Sequence, residues 1–198
     1  EWVHDHNLQT ALAGAGDYIY QPVRHELPAI SDCRTFNGYV RADGSVGVRN
    51  ELWIIPTVGC VNGLAEKAAA QVRAEGLPAN IDGVVAFTHP YGCSQLGGDH
   101  EATRKILANL VQHPNAGGVL VIGLGCENNT MESFQQLLGN IDDRRVKFLV
   151  AQNAGDELEE SVQLLRELKL FAGAAQREPA PVSKLCIGLK CGGSDAFS

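Results

Sequence analysis

Three Gly-Cys pairs, Gly59-Cys60, Gly92-Cys93 and Gly125-Cys126, recur with their thiols 33 residues apart each time. A further copy, Cys191-Gly192-Gly193, lies nearer the end of the chain. Thiolates are nucleophiles and suit iron or zinc. Glycine beside them lets the backbone turn sharply and lets a ligand approach closely. A single free cysteine is commonly no more than a small buried hydrophobe. Four of them beside glycine at equivalent places argue for a shared site. Three thiolates from one face leave a coordination position open for substrate. Cys33 and Cys186 fall outside the pattern and read as structural.

The elements that must position these thiols follow from the apolar runs before them. Residues 52–58, 84–88 and 119–124 each end at a Gly-Cys pair, and 185–189 precedes Cys191. A strand, a return helix and the next strand take about 30 residues or more. The pitch therefore reads as successive βα units carrying one thiol at the same place in each. Strands are expected at 52–58, 81–88, 119–124, 146–151 and 185–189. Helices are expected at 63–75, 99–111, 130–138 and 156–168, with Thr130 as a cap. This alternation predicts an α/β fold, a Rossmann-like, doubly wound, mostly parallel sheet. Ligands in such sheets bind just outside the carboxyl ends of the strands.

Ahead of the alternation, residues 36–41 and 46–50 read as a hairpin around Asp43-Gly44. Residues 21–35 read as a linker and 1–20 as a strand end and turn, a short β-rich remnant; 172–181 reads as a loop. Both ends read as interior sequence: Glu1-Trp2-Val3-His4 as mid-strand, and the last glycine-rich residues as a loop leading to a helix. The net charge of −7 and the lack of basic runs interleaved with aromatics argue against a nucleic-acid partner. No apolar stretch approaches the roughly 18 residues of a membrane span. Six cysteines without a signal peptide read as reduced thiols of a cytoplasmic protein.

Other side chains could join the thiols. His89-Pro90-Tyr91-Gly92-Cys93 offers an imidazole, a phenol and a thiol directly after a strand, with His89 a base or a metal ligand. His100, after Asp99, starts a helix and would point back at the site; His113, before Pro114, reads as a surface turn residue. The stretch Gly123-Leu124-Gly125-Cys126-Glu127-Asn128 has G-x-G, but asparagine replaces the last glycine of a dinucleotide fingerprint, so NAD binding is not expected. Glu127 and Asn128 instead read as polar groups near a helix start, where substrate oxygens dock. Arg41 and Arg49, with Asn50 beside them, could clamp a carboxylate.

Several of these strings together resemble the altronate and galactarate dehydratases. They are residues 41–63, from Arg41-Ala-Asp-Gly-Ser to Gly-Cys-Val-Asn-Gly63, Thr88-His-Pro-Tyr-Gly-Cys-Ser-Gln-Leu-Gly97, His113-Pro-Asn-Ala-Gly117, Val121-Ile-Gly-Leu-Gly-Cys-Glu-Asn-Asn129 and Cys191-Gly-Gly-Ser-Asp195. The resemblance covers residues 36–198, read as the family's second domain. Residues 1–8 are similar to the end of its small N-terminal SAF-type domain, and the family carries a further C-terminal domain. The resemblance implies a hydro-lyase that takes water from a sugar acid, D-altronate first, and leaves a 2-keto-3-deoxy acid. It implies ferrous iron, with another divalent metal or an iron–sulfur cluster as alternatives. Cys60, Cys93, Cys126 and Cys191 are the expected metal ligands. His89, Cys93 and Glu127 are expected in catalysis, and Arg41, Arg49, Asn50 and Asn128 at the substrate. A homo-oligomer is the expected partner state. Galactarate as substrate, a sulfo-lyase acting on sulfolactate, and a non-catalytic assembly domain are the competing readings. A redox thiol protein is the weakest, because no Cys-x-x-Cys pair is present.

Overall fold

The computed structural model describes residues 34–190, so the readings of residues 1–33, Cys33 and Cys191 lie outside the described residues. Residues Arg34–Lys184 form one compact unit. Its first strands, β1 (Thr35–Val40) and β2 (Val46–Gly47), are the expected hairpin. Asp43 closes the turn by accepting hydrogen bonds from the Ser45 amide (2.9 Å) and hydroxyl (2.6 Å), while Gly44 takes the left-handed φ of 79°.

The βα alternation then runs as β3 (Glu51–Pro56), α1 (Asn62–Ala74), β4 (Gly83–Ala86), α2 (Gly97–Gln112), β5 (Ala116–Gly123), α3 (Met131–Leu138), β6 (Val146–Val150) and α4 (Glu157–Gly173). Thr130 caps α3 as expected, its hydroxyl accepting from the Ser133 amide at 3.4 Å. Asp156 caps α4 through the amides of Leu158 and Glu159. The four strands pair in parallel in the order β4-β3-β5-β6.

Successive side chains of a strand face opposite ways, so a sheet covered on both sides needs unbroken apolar strands. β3 and β5 meet that need. Leu52, Ile54, Leu120 and Ile122 pack against α1 and α4, meeting Ala65, Ala68, Val72, Val162, Leu165 and Leu168. Trp53, Ile55, Val119 and Val121 pack on the other face against Leu107, Val111, Phe134 and Leu138 of α2 and α3. Truncating a fully buried member such as Leu52 to alanine would cost about 2–5 kcal/mol. The chain moves from β3 outward to β4, then crosses back to β5. The strand order therefore reverses between β3 and β5, and the carboxyl ends of those two strands flank the crevice where such sheets bind ligands.

Two expectations are corrected. Residues 172–181 are not all loop: α4 runs on to Gly173, and β7 (Glu178–Pro181) pairs antiparallel with β1 in a sheet of order β2-β1-β7. Pro179 and Pro181 suggested a loop, but proline is tolerated on an edge strand, and β7 is an edge. Residues 185–190, grouped apart from the compact unit, form no strand. Their apolar alternation is that of a strand, yet no ladder partner exists for them among the described residues, and propensity without pairing does not make a strand. Leu189 is 95% exposed.

Candidate functional site

The loops that leave β3, β4 and β5 at their carboxyl ends are stitched to one another by main-chain hydrogen bonds. Gly59 N–H donates to Tyr91 O (2.8 Å), and Asn128 N–H donates to Gly92 O (3.3 Å). The Asn128 side chain adds a third stitch, its Oδ1 accepting from the Ser94 amide at 3.1 Å. Thr57 N–H reaches Ile122 O across the point where the strand order reverses (2.9 Å). Cys60, Cys93 and Cys126 therefore stand on three mutually fixed loops of one rim, all three exposed as free thiols. Gln152, on the loop after β6, brings its Nε2 to 3.9 Å from the Cys126 sulfur.

The glycines are needed here for two reasons. Gly92 has φ of 103°, and a Cβ on it would come within 2.7 Å of the Val58 Cα, so the β4 loop can lie on the β3 loop only without a side chain. Gly125 has φ of 121°, which turns the chain just before Cys126. Ser94, directly after Cys93, also has positive φ (59°), a conformation that costs energy outside glycine and gathers at working sites.

His89 is held at both ring nitrogens. Nε2 lies 2.8 Å from Pro56 O, which can only accept, so Nε2 carries the proton. Nδ1 then accepts from the Tyr91 amide at 3.2 Å. Asn62 bonds the His89 main chain from α1 (2.9 Å). The imidazole thus shapes the β4 loop, and either a ligand or a base role would require one of its two bonds to open. Tyr91 stacks beside it, 53% exposed.

Glu127 is 4% exposed and sits beneath the crevice. Its carboxylate accepts from the Thr57 hydroxyl (2.7 Å) and the amides of Leu124 (3.1 Å) and Gly125 (2.6 Å). Burial works to raise its pKa. The hydrogen bonds from Thr57 and the loop amides outweigh burial, and the carboxyl is held below its ordinary value. Glu127 is an ionised anchor that ties the Cys126 turn to the end of β3.

A family model described as the second domain of D-galactarate dehydratase/altronate hydrolase matches residues 38–172. The chain belongs to this family. It is 52% identical to the altronate dehydratase of Bacillus subtilis (strain 168) over 199 residues, covering 100% of this chain and 40% of that protein. It is 51% identical to the altronate dehydratase of Escherichia coli (strain K12), covering 99% of this chain and again 40% of the relative. Galactarate dehydratase (L-threo-forming) of the same organism is 38% identical over 83% of this chain and 34% of that protein. The chain thus spans about 40% of the length of the altronate dehydratases it matches.

In this dehydratase-family domain the other expected substrate residues are not on the thiol rim. Asn50 precedes β3 and Arg41 opens the hairpin turn after β1, both at the amino end of the sheet. Asn50 is 0% exposed. Its Oδ1 accepts from Arg41 Nη1 and Nη2 (3.1 Å each), and its Nδ2 donates to Asn80 O (2.8 Å) and Ala172 O (2.9 Å). Arg41 Nε donates to Pro114 O (2.8 Å), and Arg145 covers Ala116 O and His113 O. The helices of a parallel sheet end at this edge, so their last carbonyls gather there and need donors. Burial, then repulsion from Arg145, lowers the Arg41 pKa to about 10. Arg49 is exposed and pairs with Glu51 at 3.1 Å. The groove of about 930 Å³ along this edge contains Arg41 and Arg145 together with Asp43 and Asp142. Its two cations are bonded to carbonyls and offset by two carboxylates.

The implied iron can be tested against the donors present. Three exposed thiols on one rim have suitable chemistry, but among the described residues no three His, Cys, Asp or Glu side chains lie close enough together to hold an ion. The described residues do not by themselves make the expected ligand set, and Cys191 lies outside them. Sequence reasoning missed Thr57, Gln152 and Arg145 altogether. Thr57 stands in the quoted Pro56-Thr57-Val58-Gly59 string, where a hydroxyl just after a strand was the available signal. Asn129 stood in another such string without a role.

Proposed function

We propose that this domain carries part of the active site of a sugar-acid hydro-lyase, with D-altronate as substrate and a 2-keto-3-deoxy acid and water as products. The observation that carries the reading is the rim itself: three Gly-Cys loops fixed to one another at the reversal point of the sheet, in a chain about half identical to altronate dehydratases along its whole length. The reaction removes the proton from C2, breaks the C3–O bond so that the hydroxyl leaves as water, and lets the resulting enol become the ketone. The C2 proton is weakly acidic, and chemistry of this kind needs its carboxylate and leaving hydroxyl held in fixed positions.

Cys60, Cys93 and Cys126, exposed on fixed loops, are the groups that would face the substrate. His89, Glu127 and Asn128 set those loops in place. Ferrous iron, if resident, would need ligands from outside residues 34–190 beside these thiols, and no step is derived through it. Free exposed thiols suit a reducing compartment, which favours the cytoplasm.

The test is an anaerobic assay of the full natural enzyme, supplied with ferrous iron, on D-altronate, galactarate and sulfolactate. Keto acid formed fastest from altronate is the expected result. Preference for galactarate would move the substrate, sulfite release would move the reaction class, and inactivity on all three would overturn the reading.

A further inference from the structure

Among the described residues, four buried side-chain polar atoms have no hydrogen-bond partner: His100 Nδ1, Arg104 Nε, and both Oδ1 and Nδ2 of Asn129. They lie on two segments that meet, the first turns of α2 and the stretch leading into α3. His100 and Arg104 lie one turn apart on the same face of α2. Arg104 Nη2 donates to Ser133 O in the first turn of α3 (3.1 Å), and its Nη1 pairs with Glu101 (3.2 Å). Asn129 stands two residues before α3. It follows Asn128, which is bonded to the Cys93 loop through Gly92 O and the Ser94 amide. Residues 93–99, the Cys93 loop and the first residues of α2, are exposed apart from half-buried Gln95, so α2 starts at solvent beside the thiol rim.

Asn129 is 0% exposed. An amide buried with neither atom bonded is costly, and native folds retain such groups mainly where a ligand, ion or water completes them. Asn50, buried to the same degree, has every polar atom of its side chain engaged. The contrast sets Asn129 apart as a buried amide that the protein's own described groups do not satisfy.

We propose that Asn129, together with His100 and Arg104 of the α2 turn that is bonded to α3, binds the hydroxy-carboxylate end of the sugar acid. The donors fit that chemistry. Arg104 Nε–H and Asn129 Nδ2–H suit carboxylate oxygens, and Asn129 Oδ1 suits the hydrogen of a neighbouring hydroxyl. His100 Nδ1 can take either role. The α2 N-terminus on this side adds a field that favours an anion. The proposal rests on the hydro-lyase reading and names a substrate subsite for it, separate from the thiols.

The test compares wild type with Asn129→Leu in the full natural enzyme, by melting temperature and by kcat and KM on D-altronate. Leucine has similar volume and removes the unpaired amide. The melting temperature should hold or rise, while kcat/KM falls on the order of 100-fold, mostly through KM, and the stabilisation of the fold by added altronate disappears. Unchanged kcat/KM would overturn the proposal. A parallel loss of stability and activity would overturn it too, since that is the signature of a structural amide. Arg104→Lys keeps the charge and the reach to Glu101 but lacks Nε. It should raise KM several-fold with kcat held, and an unchanged KM counts against the subsite. Failure of the hydro-lyase reading looks different, because wild type itself would then be inactive on the sugar acids.

Discussion

At the amino end of the parallel sheet, Arg41, Asn50, Asn80 and Arg145 donate to the carbonyls of Pro114, Ala172, Gly173 and Ala116. At the carboxyl end, three thiols are exposed and the Asn129 amide is unpaired. A fully buried asparagine stands at each end, Asn50 and Asn129, in opposite conditions. Helices in a βα fold end near the amino edge and begin near the carboxyl edge. Orphan carbonyls therefore collect at the first and orphan N–H groups at the second. Donors at the amino edge are taken up by the fold itself. At the carboxyl edge α3 and α4 are capped by Thr130 and Asp156, while α1 and α2 begin without a side-chain cap and turn their dipole ends toward an anion. The difference teaches that an arginine or asparagine near a turn cannot be given a ligand until its edge is known.

This comparison can be broken most severely at Asn50. Asn50→Ala removes four hydrogen bonds at once, two from Arg41 and one each to the Asn80 and Ala172 carbonyls, which then keep only the Tyr39 hydroxyl and the Ala175 amide. We expect a loss of about 3–4 kcal/mol in denaturant unfolding, with unchanged kcat/KM per folded molecule. A drop in kcat/KM without a stability change would place Asn50 in the site and erase the distinction between the edges. Cys93→Ser tests the other end. Activity should fall on the order of 100-fold or more, equivalent to about 2.7 kcal/mol, while the unfolding midpoint stays within the small range of exposed substitutions. Unchanged steady-state rates would remove Cys93 from the chemistry.

Glu127→Gln sharpens the comparison inside the carboxyl edge. The glutamine NH₂ group would face amides that now donate to a carboxylate, which should cost about 2 kcal/mol of stability and displace the Cys126 turn. Its pH dependence has a definite sign. The folded pKa of Glu127 lies below its ordinary value. Its contribution is therefore fully present above the ordinary carboxylate pKa and is lost as pH falls through the lowered folded value. Unfolding curves of wild type and Glu127→Gln should converge as pH is lowered through that window, and a constant gap would contradict the ionised anchor. The smallest effect is expected at Arg49. Arg49→Ala removes an exposed guanidinium from the buried Glu51, which keeps its bond from the Trp53 indole N–H (2.7 Å), so stability should change by about 1 kcal/mol and KM for altronate should not move. A raised KM would return Arg49 to the substrate.

Much of the fold was legible because βα units announce themselves locally. Apolar runs of strand length ended at glycine, and amphipathic runs of helix length followed, so β3, β5, β6 and the four helices were expected close to where they stand. The failures share one cause. Residues 178–181 look like loop and pair with β1, while 185–189 look like strand and pair with nothing among the described residues. Strand formation depends on a partner that local sequence does not name. The site was legible to the same extent. The Gly-Cys pitch placed the thiols on one edge, but only hydrogen bonds between loops showed that Asn128 holds the Cys93 loop and that His89 has both nitrogens engaged.

The sequence by itself determined which residues end strands, and with them that Cys60, Cys93 and Cys126 share an edge, because strand period and glycine turns are local properties. Tertiary structure alone decided that Arg41 and Asn50 serve the opposite edge, that Glu127 is bonded to Thr57 from 70 residues away, and that Asn129 is buried without a partner. Those outcomes depend on which strand lies next to which, and the crossing from β4 back past β3 to β5 is set by the packing of both sheet faces at once.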